Sequence, residues 1–106
     1  MEIEDLRKLA VENKVEFSTH ALQRMEQRSI TDEDITEAIR TGKIIEDYPE
    51  DWPLPSCLIL RSLFRGKPLH VVIGYGEDML VVITAYYPAP ELWDETFEHR
   101  REPHED

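Results

Sequence analysis

His20, Arg24 and Arg28 recur at every fourth residue, so on a helix they share one face. A histidine gives or takes a proton near neutral pH. Arginines hold a phosphate and stabilise the charge that develops when it is transferred. Farther along, Arg61, Arg65, Lys67 and His70 surround a strand–turn–strand pattern, and Thr84, Tyr86 and Tyr87 close the last apolar run. A tyrosine can donate a hydrogen bond or stack on a base. If the helix packs across a sheet, these groups could converge. They are suitable parts for metal-independent RNA cleavage, in which a ribose 2′-hydroxyl attacks its own phosphodiester. His20 would then be the base or a phosphate ligand, and His70 the complementary acid. Arg24, Arg28 and Arg65 would clamp phosphate, Arg61 and Lys67 would add phosphate contacts, and Thr84 and Tyr86 would support them. The plainer reading is that His70 and Tyr86 cap the sheet, while the arginines are solvated or paired with the surplus of carboxylates.

Other chemistries find no footing in the sequence. Gly74-Tyr75-Gly76 is too short for a phosphate loop and sits in a hairpin. His20, His70, His99 and His104 are scattered, and no cysteine–histidine spacing suits zinc. No serine elbow is present. The expectation is a protein with no metal and no cofactor.

The positioning elements follow from periodicity. Ile3, Leu6, Leu9 and Ala10 predict a helix over residues 3–13. Val15 to Phe17 is a short extended approach to the central helix, which Ser18 or Thr19 caps and which runs to about Ile30. Leu22 and Met25, with Ala21, offer it an apolar face. Thr31 caps a third helix whose buried face is Ile35, Ala38 and Ile39, and Gly42 ends it at a left-handed position. Strands are expected at 44–48, 57–64, 69–75 and 79–86, with a proline-bearing loop at 50–55 and a turn at 65–68. Leu69, Val71 and Ile73 share a face, with His70 and Val72 on the other, and Leu80, Val82, Thr84 and Tyr86 are expected to share a face of the last strand. Pro88 and Pro90 break the sheet, and Glu91 to Phe97 predicts a closing amphipathic helix with Trp93 and Phe97 four apart. The expected fold is α+β. Its N-terminal helices pack on one face of a three- to four-stranded antiparallel sheet, with a C-terminal helix closing it.

Length and charge set the outer limits. The 106 residues suit one α+β domain over 1–106, with 102–106 a frayed acidic tail. No run of about eighteen apolar residues predicts a membrane span. The acidic start, Met1-Glu2-Ile3-Glu4-Asp5, lacks the marks of a signal peptide. The single cysteine, Cys57, reads as a small core residue in a reducing, cytoplasmic setting. The net charge of −11 argues against broad nonspecific binding of nucleic acid. That sum is uneven: residues 91–106 hold seven acidic and two basic residues, whereas none of the residues between Trp52 and Gly76 is acidic. A basic surface can therefore survive on the body of the domain.

Four blocks, in order, resemble the domain of unknown function family 4258. They are His20-Ala21-Leu22-Gln23-Arg24-Met25-Glu26-Gln27-Arg28-Ser29-Ile30, Ala38-Ile39-Arg40-Thr41-Gly42-Lys43-Ile44-Ile45-Glu46, Gly66-Lys67-Pro68-Leu69-His70-Val71-Val72, and Ile83-Thr84-Ala85-Tyr86-Tyr87-Pro88 with Trp93. The resemblance runs from about Phe17 to Arg101. Members of this family are similar to RelE-like and barnase-like ribonuclease toxins. The resemblance thus implies a RelE-like fold, messenger RNA as substrate, metal-independent endoribonuclease chemistry and a zinc-finger antitoxin as partner. His20, Arg24 and Arg28 match the family's helix motif, Lys67 and His70 its strand motif, and Thr84 and Tyr86 its last strand. Ser29 stands where glycine is common, and the acidic charge is unusual for a free ribonuclease. The rival expectation is a non-catalytic protein-interaction domain that docks a partner or a second copy through its acidic surface and the Trp93–Phe97 helix.

Overall fold

The computed structural model describes residues 2–62 and 67–101. Helices come first: α1 (Ile3–Val11), α2 (Thr19–Arg28) and α3 (Asp32–Thr41). A short strand, β1 (Val15–Phe17), lies between the first two, and β2 (Lys43–Tyr48), β3 (Ser56–Arg61), β4 (Leu69–Tyr75) and β5 (Leu80–Tyr86) follow. The strands form one sheet in the order β1-β5-β4-β3-β2.

The three helix signals act locally. The α2 cap is Ser18, whose side chain accepts from the Ala21 amide. The α3 cap is a reciprocal box: Asp34 N–H donates to Thr31 Oγ1 at 3.1 Å, and Thr31 N–H donates to Asp34 Oδ2 at 2.9 Å. Their apolar stripes then fix the layer. Leu6 and Leu9, Ala21 and Met25, and Ile35, Ala38 and Ile39 bury against Cys57, Ile59, Leu69, Val71, Ile73, Leu80, Val82 and Ala85. All three helices therefore cover one face of the sheet. Cys57 is fully buried in this core, and burial pushes its thiol up to about 12.

Several expectations need correction. The sheet has five strands and is mixed. Val15–Phe17 pairs in parallel with Leu80–Val82, across 65 residues of sequence that no local pattern spans. Among the described residues no helix closes the chain: residues 91–100 form turns bridged by Trp93 and Arg100. Asp94 is the cause. Its Oδ1 accepts from the Thr96 hydroxyl at 2.7 Å and from the amides of Thr96, Glu98 and His99, which bends the chain into a loop. Phe97 adopts a left-handed φ of 62°. The RelE-like arrangement with a closing helix is thus not the one found, although the α+β class holds.

Smaller departures have equally local reasons. Gly42 is extended (φ −85°, ψ −173°) rather than left-handed. A Cβ there would sit 2.4 Å from the Ala38 carbonyl and 2.6 Å from that of Leu60, so close packing demands the glycine. The register of β4 against β5 slips after Val72, where Val72 faces Thr84 but Ile73 faces Val82. This bulge at Ile83 flips the phase of the strand. Thr84 and Tyr86 therefore point away from Leu80 and Val82, onto the face that carries His70. Ser29, rather than a glycine, holds the left-handed C-cap of α2 at φ 57°. The third strand ends at Arg61; residues 63 and 64 of its expected extension, residues 65 and 66 of the expected turn and the 102–106 tail lie outside the described residues.

Candidate functional site: the outer face of α2 and the end of β5

Ala21 and Met25 turn inward, so His20, Arg24 and Arg28 must turn outward. His20 and Arg28 are exposed and Arg24 is half-buried. Successive members of the stripe stand about 6 Å apart along the axis. Arg24 Nη1 donates to Gln27 Oε1 at 2.9 Å. Arg28 Nη1 donates to the Ala85 carbonyl at 2.8 Å. None of the three forms an ion pair among the described residues.

The Arg28 contact has a structural origin. β1 ends at Phe17, and Ser18 N–H makes one more sheet-like bond, to Val82 O at 3.0 Å. Beyond it the outer edge of β5 has no strand partner among the described residues. The carbonyls of Ile83 and Ala85 are instead taken by Ser18 Oγ, at 3.1 Å, and by Arg28. Lys67 reaches the same end of the strand, its Nζ 5.3 Å from the centre of the Tyr87 ring. Arg24, Arg28 and Lys67 thus form a cationic row along the helix and the finish of β5, with His20 at its start.

The remaining candidates lie elsewhere. Arg61 is buried at the end of β3, where Nη1 meets Asp34 at 3.0 Å and Glu37 at 3.5 Å. Burial works against the Asp34 charge, but hydrogen bonds from the Thr31 backbone and from Arg61 outweigh it and hold that carboxyl below its usual value. Arg61 is thereby occupied as a clamp between β3 and α3. Arg65 lies outside the described residues.

His70 is on the opposite side of the sheet from α2, with no exposed surface. Its Nε2 lies 2.9 Å from the Phe97 carbonyl and its Nδ1 3.3 Å from the Tyr86 hydroxyl. The Trp93 ring meets it edge-on at 4.4 Å. Burial lowers its pKa and raises that of Tyr86. The structure therefore brings His70 and Tyr86 together, and Arg28 and Lys67 together, but leaves the sheet between His20 and His70. Thr84 sits half-buried on the His70 face. The ceiling over that face, from Pro88 to Arg101, was not legible as such. Trp93 is 2% exposed rather than half of an exposed aromatic pair. Ion pairs of Arg100 with Glu46 at 3.1 Å and of Glu98 with Lys43 at 2.5 Å fasten this strap to β2.

Among the described residues no His, Cys, Asp and Glu side chains cluster in a way that could hold a metal ion, and no helix is long and apolar enough to cross a membrane. An open hollow of about 470 Å³ runs along α3, lined by Asp32, Glu33, Thr36, Glu37 and Arg40, and contains none of the candidate residues. No curated protein and no solved structure matches the chain. The model of one family, Domain of unknown function (DUF4258), matches residues 17–87, and the chain belongs to that family.

Proposed function

We propose that this chain is a RelE-like toxin-type protein in its activity: it engages RNA phosphates along the outer face of α2 and cleaves messenger RNA without a metal. The observation that carries this reading is electrostatic. In a chain of net charge −11, His20, Arg24 and Arg28 stand in a row with no carboxylate paired to any of them among the described residues. Arg7, Arg61 and Arg100 of the same chain do meet carboxylates. Here Arg24 and Arg28 are held by an amide side chain and a backbone carbonyl, neither of which cancels the charge. In the proposed reaction Arg24 and Arg28 hold the phosphate, and His20 takes the 2′-hydroxyl proton as that oxygen attacks phosphorus. The P–O5′ bond breaks to leave a 2′,3′-cyclic phosphate, and solvent water protonates the departing 5′-oxygen. His70 acts at a distance, as the residue that positions Tyr86 and the strap. A zinc-finger antitoxin is the proposed partner.

The test is cleavage of an mRNA by purified protein in EDTA, with and without ribosomes, beside the His20→Ala/Arg24→Ala variant. Cleavage by the wild type alone supports the reading; equal cleavage by a folded double variant refutes it. A second reading, a non-catalytic protein-interaction domain, is favoured by the separation of His20 from His70. RNA retention on a filter that falls with added salt, with no cleavage in either setting, would assign RNA binding without catalysis. Neither retention nor cleavage would assign the protein-interaction role.

A further inference from the structure

The second face of the sheet is roofed over only part of its length. Trp93, Arg100 and Glu98 tie the strap over His70, Glu46 and Lys43, where β3 and β5 end and β2 begins. Toward the other end, Val72 and Val81 are only half-buried and Ile83 is exposed. Leu54 folds back over Gly74 there. A Cβ built on Gly74 would lie 3.3 Å from Ile83 and 3.6 Å from Leu54, so these two side chains meet over a bare patch of backbone. Two residues before Leu54, Trp52 is 90% exposed and makes no hydrogen bond or ring contact among the described residues.

The loops at the rim of this patch are acidic, and Lys8 and Lys14 share a hollow with Glu77 and Asp78 only on the helix side. The loops at 49–55 and 76–79 carry Glu50, Asp51, Glu77 and Asp78 and no basic residue. All four are exposed. Arg28 and Lys67 lie at the far end of β5, about 20 Å away along the strand.

We propose that Trp52 and the open apolar half of the second face dock a basic polypeptide segment that carries an apolar anchor. An exposed tryptophan beside aliphatic side chains is the usual centre of a protein-binding surface. The charge of the rim selects among occupants. A second copy of a chain at −11 would bring acid against acid, and RNA would be repelled. A basic segment gains from the rim while its apolar side chain covers Trp52, Leu54 and Ile83. Because Arg28 and Lys67 are at the other end, such a segment and a polyanion can be held together. This docking does not depend on the RNA reading.

The test uses the whole chain, labelled with nitrogen-15. Its two tryptophans give two indole N–H signals, and Trp52→Phe assigns them. The probe is a 12-residue lysine-rich peptide with two central leucines; the control has glutamate in place of lysine. The lysine peptide should shift the Trp52 indole and the Val72 and Ile83 amides and leave the Trp93 indole in place. The glutamate peptide should shift none of them. Trp52→Ala, and separately Glu50→Lys/Glu77→Lys, should weaken binding about tenfold or more with unchanged melting temperatures. No shift, equal binding of both peptides, or unweakened binding by both folded variants overturns the proposal. Shifts that grow with protein concentration alone also overturn it, in favour of a second copy.

Discussion

His70 Nε2 lies 2.9 Å from the carbonyl oxygen of Phe97, and that contact settles which ring nitrogen carries the proton. A carbonyl only accepts, so Nε2 donates. Nδ1 is left as the acceptor for the Tyr86 hydroxyl at 3.3 Å. The neutral ring thereby ties the last turns of the strap to the middle of the sheet. Trp93 and Tyr86 close over it edge-on, at 4.4 and 5.2 Å.

The same geometry gives stability a pH dependence. Burial lowers the His70 pKa; the Phe97 carbonyl and the Glu46 charge oppose this, and Arg100 adds to it. The unfolded chain then binds a proton that the folded chain resists, so stability rises with pH. The contribution is whole above the unfolded value of about 6.5 and is lost as pH falls from there through the lowered folded value. Urea midpoints of the wild type should drop between pH 7.5 and 5, and those of His70→Gln should drop less. Parallel curves for the two proteins would remove His70 as the cause. The lowered carboxyls of Asp34 and Asp94 act separately: their contribution is present above the usual carboxylate value near 3.8 and disappears as pH falls below it.

Arg61 and Asp34 should respond unequally to substitution. Arg61 is buried, with an Nε that has no hydrogen-bond partner, whereas Asp34 keeps contact with water. Removing the arginine leaves a carboxylate that is still solvated and still capping α3. Removing the aspartate leaves a buried guanidinium with Glu37 and the Lys67 carbonyl, each at 3.5 Å, and breaks the capping box. Arg61→Met should cost no more than about 1 kcal/mol, and Asp34→Ala about 2–3 kcal/mol. Denaturant melts of the two variants check the order, and a reversed order would mean the pair is not governed by desolvation.

Helices were legible because their signals are local: Thr31 with Asp34, Ser18 before Ala21, and the stripes at Leu6 and Leu9 or Ile35 and Ile39. β4 was legible from the alternation of Leu69, Val71 and Ile73 against His70 and Val72. What failed was partly non-local and partly a local competition for the same amides. Val15–Phe17 became a strand only because Leu80–Val82 offers it an edge. The bulge at Ile83 turned Thr84 and Tyr86 to the face opposite the one their spacing implied. The spacing of Trp93 and Phe97 mimicked a helix, but Asp94 captured the amides that a helix would have used. The α2 stripe was legible as a stripe. Its convergence with His70 was not, because an alternating strand does not say on which side the helices lie.

Ser29 carries a backbone that glycine suits better. Its φ of 57° and ψ of 40° lie in the left-handed region at the end of α2. The side chain is exposed, so no packing is lost when it is removed. Ser29→Gly should stabilise by about 0.5–1 kcal/mol and raise the melting temperature by roughly 2–6 °C. A lowered melting temperature would show that unfolded-state freedom outweighs the strain.

Arg24 and Arg28 share a face but not a structural burden, and that difference separates binding from folding. Among the described residues Arg24 hydrogen-bonds only Gln27, on its own helix. Arg28 satisfies the Ala85 carbonyl at the outer edge of β5, where no strand lies. Arg24→Ala should therefore change stability by less than about 0.5 kcal/mol, while Arg28→Ala costs about 1 kcal/mol. Both should weaken RNA retention, and each should flatten its dependence on salt by about one charge. Filter binding across a salt series, run beside thermal melts of the same preparations, reads both effects. If Arg24→Ala left retention and salt slope unchanged, the stripe would be ordinary solvated surface, and its regular spacing would reflect nothing more than the face of α2 turned away from the core.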